Sequence, residues 1–197
     1  IVCQVVEASE GDKFLSYCQN GKTEHVNYKK PFKRLTFKQA FSSVIGPYDW
    51  CNLERMVEIY PESFSLDMTR FTWLMKVIEK FIVPTIKEPT FLTELPIGMS
   101  PFVKNKNQEV SERAFLISQQ TFLADIYTDE NDALVLSQLL KEQSEALGAN
   151  LNSEYLEIIK MGLPQTAGIG LGLNRLFMLM LGNLPSNIKE TILYPIV

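Results

Sequence analysis

The chain has a single histidine, His25, and three cysteines, Cys3, Cys18 and Cys51, with no C-x-x-C spacing among them. Thiolate and imidazole metal sites need several such ligands close together, so this scarcity argues against a Cys/His zinc centre. It argues equally against a Cys-His or Ser-His nucleophile pair. A sparse, odd set of cysteines fits a reducing compartment better than a disulfide framework. No segment carries the roughly 18 uninterrupted apolar residues of a membrane span. The opening "IVCQVVEASEGDK" also lacks the charge-then-apolar layout of a secretory signal. The expected setting is cytoplasmic, or an organelle matrix if a transit peptide lies upstream, with neither membrane insertion nor secretion. Because the chain opens on isoleucine, its true N-terminus is expected further upstream.

Positive charge is short as well. A net charge of -4 and a pI near 5.2 give no global basic field for nucleic acid. The densest basic run, "KKPFKR" from Lys29 to Arg34, reads as a solvated loop in preference to an RNA contact. What the chain does have is apolar residues, 46% of 197, spread evenly enough to favour one large domain over two small ones.

Alternation from Phe14 to Tyr28 predicts two short strands, with Asn20-Gly21 as their hairpin turn and Pro31 beyond their end. Thr36 is placed to cap a helix over Phe37 to Val44, stopped by Gly46. Apolar residues at Met68, Phe71, Leu74, Met75, Ile78 and Phe81 predict a helix from Ser65 to Val83, broken near Pro84. "EPTFLTELP" predicts a strand between Pro89 and Pro96, and "RAFLISQQTFLADIY" a hairpin turning at Gln119-Gln120. "DALVLSQLLKEQSEALG" is an amphipathic helix ended by Gly148, and Ser153 caps a shorter one through "SEYLEIIKMG". "AGIGLGL" then reads as a glycine-spaced strand and "NRLFMLMLG" as the helix after it. There is no internal repeat or low-complexity tract. Central strands with helices around them predict an α+β domain on a largely antiparallel sheet.

The glycine strand is the stretch most suggestive of chemistry. Gly168, Gly170 and Gly172 leave a strand face bare, so that a flat ring or a backbone can approach closely. Arg175, planar and fixed in charge, suits stacking on a purine or pairing with phosphate, and the helix start beside it favours an anion. The competing reading gives the glycines to tight strand-helix packing and Arg175 to a local carboxylate. The stretch by itself does not separate the two.

The order of motifs resembles the C-terminal half of the catalytic domain of class II aminoacyl-tRNA synthetases, lysyl-tRNA synthetases in particular. "PFKRLTFKQAF" is similar to the family's P-[FW]-[KR]-R segment. "PTFLTELPIGMSPFVK" follows its P-T-F…P-x-x-x-S-P-L-A-K, with Pro89, Thr90, Phe91, Pro96, Ser100, Pro101 and Lys104 in register. "SERAFLISQQTFLADIYTDEND" takes the place of T-E-R-F-E-L-F…N-A-Y-T-E-L-N-D. "GLPQTAGIGLGLNR" matches the G-L-P-P-T-x-G-x-G-x-G-x-D-R block known as motif 3. The likeness runs from Pro31 to Val197. It implies residues 1–197 as the C-terminal half of such a domain, in which motif 1 and motif 2, with its phosphate-binding arginine, are not found.

Three departures stand against that pattern. The family holds Mg²⁺ against ATP with two glutamates seven residues apart on the hairpin; the matching residues are Phe115 and Phe122. A phenyl ring offers no oxygen to a hydrated Mg²⁺, and no acid lies between Arg113 and Ala124 to take over. A short turn places both rings on one sheet face. The family's N-x-Y-x-E grip on the lysine substrate corresponds to Asp125, Tyr127 and Asp129, where an amide has become a carboxylate and a glutamate has lost a methylene. Glu130 is expected on the opposite face. The motif 3 aspartate is Asn174.

The resulting expectation is a degenerate, catalytically inactive paralogue serving as a structural or protein-interaction module, with no cofactor and with a protein partner or its own N-terminal half for company. The alternative is the C-terminal portion of an active lysine–tRNA ligase or a related amino-acid-activating enzyme, using ATP and Mg²⁺ and engaging tRNA. A small-molecule binder built on Arg175 and Asp129 is a third reading.

Overall fold

The computed structural model describes residues 1–11, 14–19, 22–47, 52–148 and 153–181. Among the described residues, seven strands fall into two sheets. The small one pairs β1 (Phe14–Gln19) with β2 (Lys22–Asn27) in antiparallel fashion, Phe14 opposite Asn27. The sequence-predicted turn residues Asn20 and Gly21 lie outside the described residues. The main sheet runs β3-β4-β5-β6-β7, formed by Lys33–Thr36, Thr90–Thr93, Arg113–Ser118, Thr121–Thr128 and Ala167–Leu171. Among the described strands only β3 and β4 are parallel and every other pair is antiparallel, so the α+β, largely antiparallel expectation holds.

Local chemistry explains most boundaries. The Thr36 side chain accepts from the Gln39 N–H while Gln39 reaches back to the Thr36 N–H, a capping box that opens α2 (Phe37–Val44). Asp132 accepts from the N–H groups of Leu134 and Val135 to open α5 (Ala133–Leu147), which ends at Gly148 with φ 60. α6 spans Ser153–Lys160, with the residues just before it outside the described ones, and α7 spans Leu173–Met180.

The helix predicted from Ser65 is shorter than its apolar pattern. α4 starts at Arg70, because Thr69 takes the Thr72 N–H as a cap and Ser65 and Asp67 bond to each other in the turn before it. Past Val77 the helix widens into a π turn over Ile78–Ile82 and tightens into a 3₁₀ turn, Val83–Thr85, around Pro84. Three elements have no counterpart in the sequence reading: α1 (Val2–Glu10), β3 and α3 (Leu53–Ile59).

The main sheet is covered on both faces. On one side α2, α3, α4 and the π turn bury Phe37, Phe41, Leu74 and Ile78 against Leu92, Phe115 and Ile117. On the other, α1, the β1-β2 hairpin and α7 bury Val6, Leu15, Leu176 and Leu179 against Leu116 and Leu123. Full burial of one such side chain contributes about 1.5–3 kcal/mol. Among the described residues, no helix is long and apolar enough to cross a membrane.

A polar clasp joins the small sheet to the tip of the β5-β6 hairpin. Gln119 Nε2 donates to the Tyr28 hydroxyl at 3.3 Å, Tyr28 and Ser118 Oγ lie 2.9 Å apart, and Ser118 Oγ donates to the Lys87 carbonyl at 3.3 Å. With Ser118 donating onward, Tyr28 is the donor to Ser118. Burial pushes the Tyr28 hydroxyl above its ordinary pKa. The two-residue turn needs φ > 0 twice, and Gln119 (φ 47) and Gln120 (φ 61) adopt it without being glycine. Their N–H groups donate to Lys87 and Ile86 at 2.7 and 2.8 Å, which offsets the strain and fixes the tip against the 3₁₀ turn.

Candidate nucleotide and amino-acid cleft

The centre of the sheet sets the register of the candidate residues. Phe115 on β5 faces Asp125 on β6, which faces Gly170 on β7; one step along, Arg113 faces Tyr127, which faces Gly168. Directly opposed residues share a face. Phe122 and Asp125 are three apart and strict alternation separates them. A bulge resolves the conflict. At the hairpin tip Phe122 pairs with Ile117, whereas beyond the register shift Asp125 pairs with Phe115. The extra residue on β6 brings the phenyl ring and the carboxylate to the same face, as bulges beside functional sites commonly do.

That face is the floor of a cavity of about 460 Å³. Phe115 and Phe122 meet there edge to face, with ring centroids 5.1 Å apart. The Arg113 guanidinium lies over the Phe115 ring at 4.9 Å and grips Asp125 with two bonds, Nε to Oδ1 at 2.9 Å and Nη2 to Oδ2 at 2.7 Å. The opposite wall is α4 and its π turn, through Phe71, Met75 and Glu79. These fall at i, i+4 and i+8, one helical stripe. Glu79 lines the cavity and is not among the residues the sequence reading singles out.

The three glycines divide between the two readings offered for them. A Cβ on Gly168 would press on the Tyr127 ring at 3.3 Å, and one on Gly172 would meet the Arg175 side chain at 3.4 Å and the Leu123 carbonyl at 3.5 Å. Both serve packing. Gly170 has nothing within 4 Å of that position and opens into the cavity. Arg175 also lines the cavity, and its bond among the described residues is a long one, Nη1 to the Phe122 carbonyl at 3.4 Å. No carboxylate pairs with it among the described residues. Of the amino-acid trio only Asp125 reaches this cavity. Tyr127 covers Gly168, and Asp129 stands further along β6, its N–H bonded to the Thr166 carbonyl at 3.0 Å and its backbone bridged to Val103. Glu130 is buried, and its Oε1 accepts from the Asp132 N–H at 3.0 Å. Asn174 is exposed.

The model of the family described as "tRNA synthetases class II (D, K and N)" matches residues 2–197. The chain belongs to this class II tRNA synthetase family. It is similar to the lysine–tRNA ligase of Saccharolobus solfataricus, 26% identical over 190 residues that cover 90% of this chain and 38% of the relative. The lysine–tRNA ligase of Buchnera aphidicola subsp. Schizaphis graminum is 27% identical over 187 residues, covering 87% of this chain and 36% of the relative. This chain therefore spans well under half the length of the relatives it matches.

Set into the class II pattern, Phe115 and Phe122 occupy the two positions from which the resemblance leads one to expect Mg²⁺ ligands. Neither side chain carries an oxygen, and Mg²⁺ takes near-octahedral oxygen coordination. The nearest carboxylate on the floor, Asp125, has both oxygens engaged by Arg113. Among the described residues no group of three or more His, Cys, Asp or Glu side chains is placed to hold a metal. The donor set does not fit the ion.

Proposed function

We propose that this lysyl-tRNA synthetase-like class II domain is a degenerate paralogue that has given up metal-dependent amino-acid activation, takes no cofactor, and serves as a structural or protein-interaction module in a larger complex. The observation that carries the reading is the Phe115–Phe122 edge-to-face pair on the floor of the cleft. Activation of a carboxylate by ATP rests on positioned positive charge and metal around the phosphates. Apolar rings in the metal's place leave phosphate oxygens unpartnered and desolvated. The bidentate Arg113–Asp125 pair supports the same reading, since it engages a side chain that the family pattern assigns to the amino-acid substrate.

A second reading has its own observation. Arg175 and Gly170, both from the motif 3 stretch, face one open cavity, which suits the C-terminal portion of a working ligase using ATP, Mg²⁺ and tRNA. Calorimetric titration with ATP, with and without Mg²⁺, separates the two. The degenerate reading expects no magnesium-dependent heat; saturable, magnesium-dependent binding in the micromolar range gives the site to the ligase.

The expectation of a partner, either another protein or the N-terminal half of the same one, draws support from the outer strand. Among the described residues β7 is hydrogen-bonded to β6 alone in the sheet order, and Ile169, Leu173, Phe177 and Leu181 on and after it are all half exposed or more. Open edges and grouped apolar side chains are ordinarily covered in an assembly. Sedimentation of the purified 197-residue chain is expected to show self-association. A monomer with a sharp, cooperative melt removes the support for a partner.

A further inference from the structure

Beside the glycine cleft lies a second and larger cavity, about 690 Å³, between the start of α4, the loop from Gly98 to Asn105 and the middle of α5. Its size falls in the range of about 300–1,000 Å³ usual for small-molecule sites. Phe71, Met99, Phe102 and Leu139 give it apolar walls. Phe71 and Phe102 are 46% and 42% exposed, so two large rings stand open at its mouth. Arg70, Arg113 and Glu142 are the charged residues on the wall. Glu142 already accepts from Gln138 at 3.0 Å. Gly98, at φ 80, lets the Arg70 side chain lie against its bare Cα, where a Cβ would meet Arg70 Cδ at 3.4 Å.

Arg113 is the group that asks for a ligand. Asp125 takes its Nε and Nη2 from the side of the glycine cleft. Nη1 is buried and has no acceptor among the described residues. A buried donor left unmet is costly, more so when charged, and such a group in a folded protein points to a water, ion or ligand. Arg113 and Phe71 line both cavities and so form the wall between them. Because Phe71 is nearly half exposed, moving its ring sacrifices little packing, and an acceptor entering the second cavity gains access to Nη1 while Asp125 keeps its two bonds.

We propose that the second cavity binds a small amphiphilic carboxylate. Its apolar body rests on Phe71, Met99, Phe102 and Leu139, and its carboxylate oxygen accepts from Arg113 Nη1. The unmet Nη1–H of a planar, permanently charged guanidinium sets the preference for an anionic acceptor. The proposal is independent of whether the glycine cleft holds a nucleotide.

The probe is 3-phenylpropanoate, titrated calorimetrically into the purified chain beside its neutral analogue 3-phenylpropanol. Saturable binding of the carboxylate is expected, with the alcohol at least about tenfold weaker, the loss of one charge-assisted hydrogen bond. Leu139→Trp fills the cavity without touching the glycine cleft and is expected to abolish binding. If that variant melts early, Phe102→Asp at the exposed rim is the replacement, with the same loss expected from charge repulsion. Arg175→Ala, on the glycine cleft alone, is expected to leave the affinity for 3-phenylpropanoate unchanged. Equal affinity for acid and alcohol, binding lost in Arg175→Ala, or no saturation at tens of millimolar overturns the proposal.

Discussion

Glutamate at position 115 is expected to unfold the chain before it restores any metal site. Phe115 is 4% exposed and belongs to the core formed with Ile117, Leu92 and the α4 helix. Truncating a buried phenylalanine costs about 3–5 kcal/mol, and an uncompensated carboxylate in the same space adds to that. For a chain of this size each kcal/mol shifts the melting temperature by about 2–4 °C, so Phe115→Glu should melt at least about 10 °C early. Phe122 differs. It is only partly buried, lines the cleft, and has Arg175 bonded to its carbonyl. Phe122→Glu is therefore expected to cost no more than about 1–2 kcal/mol, since its carboxylate reaches solvent and a guanidinium. Thermal melts of both single variants and of the double variant, with and without Mg²⁺, provide the check. A double variant that melts like the parent, or that Mg²⁺ stabilises, would falsify the placing of Phe115 in the core and return the site to the metal.

This contrast between two rings assigned the same role marks where sequence reading stops. The hairpin itself was legible, because the Gln119-Gln120 turn and the flanking alternation are local. The Thr36 cap and the glycine stop at Gly148 were legible for the same reason. The bulge on β6 was not: it arises from a register that suits both the tip, where Phe122 meets Ile117, and the centre, where Asp125 meets Phe115 and Gly170. Burial of Phe115 follows from α4 and Leu92, elements distant in sequence. The start of α4 was masked by apolar periodicity continuing back to Met68, a residue that packs on the core from a turn. Glu79 and the second cavity escaped because both depend on how α4 crosses the sheet, and no spacing along one element reports a crossing.

Asp125→Asn is expected to weaken the fold by about 2–3 kcal/mol even though it reinstates the amide of the family pattern. The Arg113 side chain is 12% exposed and that of Asp125 34%, so this pair is neither a surface contact nor fully buried. Breaking a fully buried pair costs about 3–5 kcal/mol, an exposed one about 0–1. The geometry places this case between them. Asparagine keeps one acceptor for Arg113, but its amide group turns N–H donors toward the second guanidinium nitrogen, which then joins Nη1 as an unmet donor. Stacking on Phe115 persists and holds the arginine in place, so the cost appears as lost stability with the fold retained. A fall of about 5–10 °C in melting temperature is the expected reading. Combining Asp125→Asn with Arg113→Gln in a double-mutant cycle isolates the pair, with a coupling above about 1 kcal/mol expected for groups in direct contact. If Asp125→Asn melts at the parent temperature, the carboxylate is not committed to Arg113, and it becomes available to a cationic ligand in the cleft.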